Sequence, residues 1–186
     1  MTNYYISDLH FGHQNIMAFD KRPFDSIEES DKAIIENWNR VVDIDDDVYI
    51  LGDISWYNST KTIELMNQLN GNLHLIRGNH DNKILKNPKM RDLFVEITDY
   101  KEITDDEGCG IVLCHYPIHC FKNHYHSWIH LYGHVHTTWE SDFVEKMKKE
   151  MINIHNVPCR MYNVGCMCSH MNYTPRTLSE ILAACE

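Results

Sequence analysis

Short apolar runs alternating with helix-patterned polar stretches lay out this chain. Residues 26–42, SIEESDKAIIENWNRVV, place Ile27, Ile34, Trp38 and Val41 near helical spacing behind the capping-box pair Ser26 and Glu29, which predicts a helix with one buried face. VYIL (48–51) comes after an acidic cluster and reads as a buried strand. STKTIELMNQLNG (59–71) predicts a second amphipathic helix closed by Gly71. NLHLIR (72–77), residues 100–104, GIVLC (110–114), WIHLY (128–132) and RMYNV (160–164) read as further strands. The charged segment 140–151 is a helix or an exposed insertion, and TLSEILAAC (177–185), with Thr177 and Glu180 in capping-box register, predicts a terminal helix. Strands alternating with helices early and clustering later indicate a layered α/β domain with mixed sheet order.

The residues at the ends of the apolar runs carry the chemistry. YYIS leads into Asp8 and His10, VYILG into Asp53, LHLIRG into Asn79, His80 and Asp81, IVLC into His115, and WIHLYG into His134 and His136. Each run ends in a metal-ligand side chain, and in open α/β sheets the carboxyl ends of the strands lie along one edge, where ligands bind. Carboxylate and imidazole without thiolate suit Mn, Fe or Zn better than a structural zinc finger. Seven or eight such groups are too many for one tetrahedral ion and suit two, held roughly 3.5–4 Å apart with a carboxylate between them. Asp53, alone on its strand end, is the natural bridge. Residues two apart in extended chain stand about 6.6 Å from one another, so His134 and His136 can serve neighbouring ions.

Composition narrows the setting. A length of 186 residues suggests a single domain spanning 1–186, able to bury roughly 70% of the surface its unfolded chain exposes. Seven scattered cysteines point to reduced thiols in a cytoplasm. The start MTNYYISDLH has neither basic flank nor apolar core, and no stretch approaches the roughly 18 apolar residues of a membrane span, so a soluble cytoplasmic protein without a membrane partner is expected. A net charge of −10 disfavours a surface built to track nucleic-acid backbone. It does not exclude a nuclease, because bound cations reverse the local sign.

DLH, GD, GNHD, the histidine of LCHYP, and GHVH occur in an order and at spacings that resemble the calcineurin-like metallophosphoesterases from residue 8 to about 165. SDLHFGHQNI, KRPF and ENWNRVV further resemble a small bacterial and phage branch of that superfamily. The resemblance implies a four-layer α/β/β/α sandwich with mixed sheets, two divalent transition-metal ions (Mn, Fe or Zn) and hydrolysis of phosphate esters. It assigns Asp8, His10, bridging Asp53 and His136 to one ion, and Asp53, the Asn79 side-chain oxygen, His115 and His134 to the other. His80 would be the non-ligand histidine facing substrate, with Asp81 fixing its tautomer. Cys166 stands where the family often has serine, and residues 137–159 have no placed counterpart.

His13 and Arg22 are candidates for substrate contact, although a lone arginine is more often a salt-bridged surface group. His119, His124, His126 and His130 are read as ordinary residues. Cys159, Cys166, Cys168 and His170 lack common zinc spacing, and cysteine serves well as a small hydrophobe. The expected activity is therefore dinuclear metal-dependent hydrolysis of a phosphodiester or a small phosphorylated metabolite. The rivals are a nuclease, a protein phosphatase, or a non-catalytic scaffold, which would be expected to have lost ligands.

Overall fold

Eight strands form two four-stranded sheets in a computed structural model that describes residues 1–106 and 108–185. The first sheet runs β1 (Asn3–Ile6), β2 (Asp47–Ile50), β3 (Asn72–Ile76) and β4 (Phe94–Thr98), all parallel. The second runs β5 (Tyr100–Thr104), β6 (Gly110–Cys114), β7 (Ile129–Tyr132) and β8 (Met161–Asn163), with β5 antiparallel to β6 and the rest parallel. Six α-helices are described: α1 (Ile16–Phe19), α2 (Ile27–Val41), α3 (Ser59–Met66), α4 (Pro88–Arg91), α5 (Trp139–Asn153) and α6 (Leu178–Cys185). None is long and apolar enough to cross a membrane.

Side-chain alternation along the strands sets the layers. Tyr5, Tyr49 and His74 are register partners on one face of the first sheet, with ring centroids 5.6 and 4.6 Å apart along the row. Tyr5 Oη donates to Asp105 Oδ1 at 2.9 Å, just past β5, so this face looks toward the second sheet. Tyr4, on the opposite face, donates to the Val41 carbonyl of α2 at 2.8 Å. In the second sheet Ile111, Leu113, Ile129 and Leu131 enter the main core, whereas Val112, Tyr132 and Met161 pack with Val144 of α5 in a separate cluster. The order is helix, parallel sheet, mixed sheet, helix: the four-layer α/β/β/α sandwich expected.

The predicted helix at 26–42 forms as α2. Ser26 Oγ accepts from Glu29 N–H at 3.1 Å, while Glu29 reaches back to Asp25 N–H at 2.7 Å. Its Ile34 and Trp38 are fully buried, each worth about 1.5–3 kcal/mol relative to exposure. The helix expected over 59–71 stops at Met66. Tertiary bonds claim the chain beyond it: Trp38 Nε1 donates to Asn70 O at 2.9 Å, and Asn70 N–H donates to Asn39 Oδ1 at 2.9 Å. Gly71 therefore makes the turn into β3 at φ +93 rather than closing a helix. Asn58 caps α3, accepting from Lys61 N–H at 2.9 Å. The 140–151 segment is helical, capped by Thr138. β4, which no pattern announced, is a half-buried edge paired to β3 through a register shift.

Candidate metal centre

Parallel pairing of β1, β2 and β3 brings their carboxyl ends to one edge, and parallel β6 and β7 do the same in the second sheet. Just beyond, the backbone turns in the left-handed region at Asp8 (φ 57), His10 (φ 50), Asp53 (φ 56), His134 (φ 71) and His136 (φ 48). For non-glycine residues this conformation costs on the order of 1 kcal/mol or more each, and it persists only where the surroundings hold it. Cross-loop bonds hold it here: Asp8 N–H donates to Gly52 O and His10 N–H to Asp53 O, both at 3.0 Å, and His134 N–H donates to Asp8 Oδ2 at 3.1 Å. Gly52, at φ +90, is demanded twice, since a Cβ there would sit 2.5 Å from Gly78 N and 2.8 Å from His115 Nδ1.

The turns aim two donor sets inward. In the first, His10 Nε2 and His136 Nε2 lie 3.2 Å apart, and Asp8 Oδ1 lies 3.9 and 3.7 Å from them. In the second, Asn79 Oδ1 is 3.1 Å from His115 Nε2 and 3.0 Å from His134 Nδ1. Asp53 Oδ2 stands between the sets, 3.9 Å from His10 Nε2 and 3.6 Å from His115 Nε2. Asp8, His10 and His136, and likewise Asp8, Asp53 and His115, converge closely enough to share an ion.

These residues fit divalent metal. Two imidazole nitrogens face one another among carboxylates, and His10 Nδ1 is buried without a hydrogen-bond partner. Burial is the largest cause of a raised Asp8 pKa and of a His10 pKa well below its ordinary value, with His136 lowering His10 further. A cation favours carboxylate and neutral imidazole and so resolves this crowding. His115 Nδ1 donates to Leu51 O at 2.6 Å, which leaves its Nε2 lone pair for the centre.

A family model described as calcineurin-like phosphoesterase matches residues 1–161. The chain belongs to that family. Among relatives of this chain, an uncharacterized protein from Methanocaldococcus jannaschii is 37% identical over 155 residues, 81% of this chain and 79% of the other. The Gene 66 protein of Mycobacterium phage L5 is 39% identical over 85 residues, 44% of this chain and 41% of that protein. A solved structure of a protein of unknown function from Aquifex aeolicus superposes with a TM-score of 0.71 at 25% identity, covering 98% of each chain.

Around the candidate centre, some residues take places that the sequence pattern does not foretell. Arg22 is buried, not set toward substrate: its guanidinium donates to Leu9 O at 3.1 Å, Asp8 O at 3.2 Å, Ser30 Oγ at 3.2 Å and Asp20 Oδ2 at 3.4 Å. With those donors taken, it braces the Asp8–His10 turn from below. Asp81 is likewise buried. It does not orient the His80 ring, because Oδ2 accepts from Asp53 N–H (3.0 Å) and Gly78 N–H (2.8 Å) while Oδ1 accepts from Ile54 N–H (2.9 Å). It ties the Asp53 and Asn79 loops together.

His80 borders the centre, its side chain 45% exposed and its Nε2 3.9 Å from Asp53 Oδ2. His13 stacks on Trp56 at 3.9 Å and, with Phe19, His80, His134 and His136, lines a cleft of about 340 Å³ that opens onto Asp53. Burial lowers the His13 pKa. Two residues escape the sequence pattern. Trp56 walls the cleft between His13 and His80, and Asp20 Oδ1 accepts from His136 Nδ1 at 2.8 Å, leaving His136 Nε2 for the centre. Asp20 adjoins the KRPF motif, but nothing local marks it as the partner of a residue 116 positions away. Buried Cys166 donates to Asp8 O at 3.1 Å, with its pKa pushed up by burial to about 12, and so braces the same turn as a neutral thiol. His130 is a core residue whose ring accepts from Ile118 N–H at 3.0 Å.

Proposed function

We propose that the protein is a dinuclear metal-dependent phosphoesterase acting on a phosphodiester or a small phosphorylated metabolite. The observation that carries the reading is the position of Asp53 Oδ2 between two donor sets, within 3.9 Å of a histidine nitrogen in each. One ion would be held by Asp8, His10, Asp53 and His136, the other by Asp53, Asn79, His115 and His134. Such ions, when bound, polarise a phosphoryl oxygen and make water a nucleophile near neutral pH.

The remaining work falls to side chains. Asp20 and the Leu51 carbonyl hold His136 and His115 in the tautomers that present Nε2. Asp81 and Arg22 keep the loops in register. His80, next to Asp53 and open to the cleft, is placed to donate a proton to the departing oxygen or to stabilise the phosphoryl oxygens. Trp56, His13 and Phe19 form the walls of the cleft in which the reacting group would sit.

The test strips the protein of metal, reloads it with Mn²⁺, Zn²⁺, Fe²⁺ or Mg²⁺, and assays phosphomonoesters, diesters, cyclic nucleotides, phosphopeptides and DNA or RNA oligonucleotides. Metal-dependent turnover of a small ester is expected. Turnover of oligonucleotides or phosphopeptides alone would replace this reading with a nuclease or a protein phosphatase, and none on any substrate would leave a scaffold.

A further inference from the structure

The cleft over the centre does not end at His80. A second cavity of about 390 Å³ shares Trp56, Asn79 and His80 with it and continues to Asn82, Lys83 and Lys86. The local fold explains the pairing of the two lysines. Residues Ile84–Lys86 form a 3₁₀ turn with Lys83 as its first flanking residue, and side chains three apart on such a turn eclipse. Ile84 and Leu85 are buried beneath it, so Lys83 and Lys86 both face outward into the cavity. Asn82 lies beside them. Its Oδ1 accepts from Arg77 at 3.4 Å, which leaves the amide N–H₂ to donate.

In a chain of net charge −10, two unneutralised cations in one groove stand out. The lysine ion pairs among the described residues belong to Lys32, Lys61, Lys101, Lys122 and Lys148. Trp56 does not present a free face for stacking a base, because His13 covers it at 3.9 Å and His80 leans on it at 4.3 Å. The groove thus offers N–H donors and positive charge without an aromatic platform.

We infer that Asn82, Lys83 and Lys86 form a subsite for a second phosphate, carried by the substrate's alcohol on the His80 side of the scissile bond. This rests on the phosphoesterase reading above and specifies its substrate class: an ester whose leaving alcohol is itself phosphorylated. Two exposed lysine–phosphate pairs contribute roughly tenfold together.

The experiment uses metal-loaded protein and two matched pairs: propane-1,3-diol bisphosphate against propyl phosphate, and adenosine 3′,5′-bisphosphate against adenosine 5′-monophosphate. The bisphosphate of each pair is expected to show roughly tenfold higher kcat/KM. Lys83→Ala/Lys86→Ala should remove that preference while leaving turnover of the monophosphates and metal content unchanged, and Lys89→Ala, outside the groove, should change nothing. Calorimetry with propane-1,3-bisphosphonate against propylphosphonate reads binding without turnover and should show the same preference and the same loss.

Equal turnover of mono- and bisphosphates overturns the subsite while leaving the phosphoesterase reading intact. A preference that survives the double change places the second phosphate on the metals and also overturns it. A gain confined to the nucleotide pair, whose two members share one base and differ only in the second phosphate, supports the subsite and fixes the spacing of the two phosphates it accepts. Failure to hydrolyse any ester sinks the phosphoesterase reading itself.

Discussion

Asp20→Ala tests whether His136 is a tuned ligand. Asp20 Oδ1 accepts from His136 Nδ1 at 2.8 Å with its own side chain closed off from solvent, and its Oδ2 faces Arg22 Nε at 3.4 Å. Within the protein, the carboxylate is the largest of the influences that raise the His136 pKa against the lowering effect of burial. Removing it takes away both the lock on the tautomer and the electron donation that strengthens Nε2. Losses of this kind cost about 10–100-fold in metal affinity, equivalent to about 1.4–2.7 kcal/mol. Asp20→Asn should fall at the low end, since an amide oxygen still accepts from Nδ1 but carries no charge. The assay is competition for Zn²⁺ or Mn²⁺ with a chelator of known affinity, read together with thermal unfolding of the metal-free protein. Unchanged affinity in a folded Asp20→Ala protein would refute the reasoning. So would an equal loss at both ions, since His136 belongs to one donor set.

Four further outcomes are expected. Asp53→Asn should weaken both ions, and elemental analysis finding one of them at full occupancy and unchanged affinity would argue against the shared carboxylate. His80→Ala should keep both ions and lose about 10²–10⁴ in kcat/KM on alkyl esters while losing less on nitrophenyl esters, whose leaving group departs without a proton; an equal loss on both would assign His80 to the phosphoryl oxygens instead. Cys166→Ser with Cys168→Ser should leave metal content and most turnover intact, because a serine hydroxyl can still donate to Asp8 O; loss of an ion would revive a thiolate site. Burial raises the Asp31 pKa from 3.8 to about 6 despite its bonds from Gly12 N–H. Its protonated form is therefore favoured by folding, and its contribution, up to about 3 kcal/mol, is full below pH 3.8 and lost as pH rises through about 6. Asp31→Asn should accordingly gain stability relative to the parent as pH rises from 4 to 7, measured by denaturant midpoints; a constant difference across that window would contradict it.

Local sequence specifies which residues surround the centre. Parallel strands buried on both faces read as short continuous apolar runs, and their carboxyl ends share an edge, so a ligand-type residue after each run is a statement about position in space. That logic places Asp8, His10, Asp53, Asn79, His115, His134 and His136 at one site without reference to the fold. It works because the information is local: a strand, its end, and the next few residues. Helix ends obey the same rule where the cap is decisive, as at Ser26, and depart from it at α3, where Asn70 is bound to Trp38 and Asn39 across the fold.

Whatever depends on partners remote in the chain is set by the tertiary fold. Asp20 meets His136 from 116 residues away, and Arg22 turns inward to donate to the Asp8 and Leu9 carbonyls. Asp81, adjacent to His80 in sequence, points its carboxylate at backbone N–H groups of the Asp53 turn, since five residues of the candidate site held at positive φ require bracing that no local pattern records. Lys83 and Lys86 look like ordinary surface charge until a 3₁₀ turn eclipses them beside the centre. Periodicity encodes which face a residue occupies; it carries no record of which distant group that face will meet.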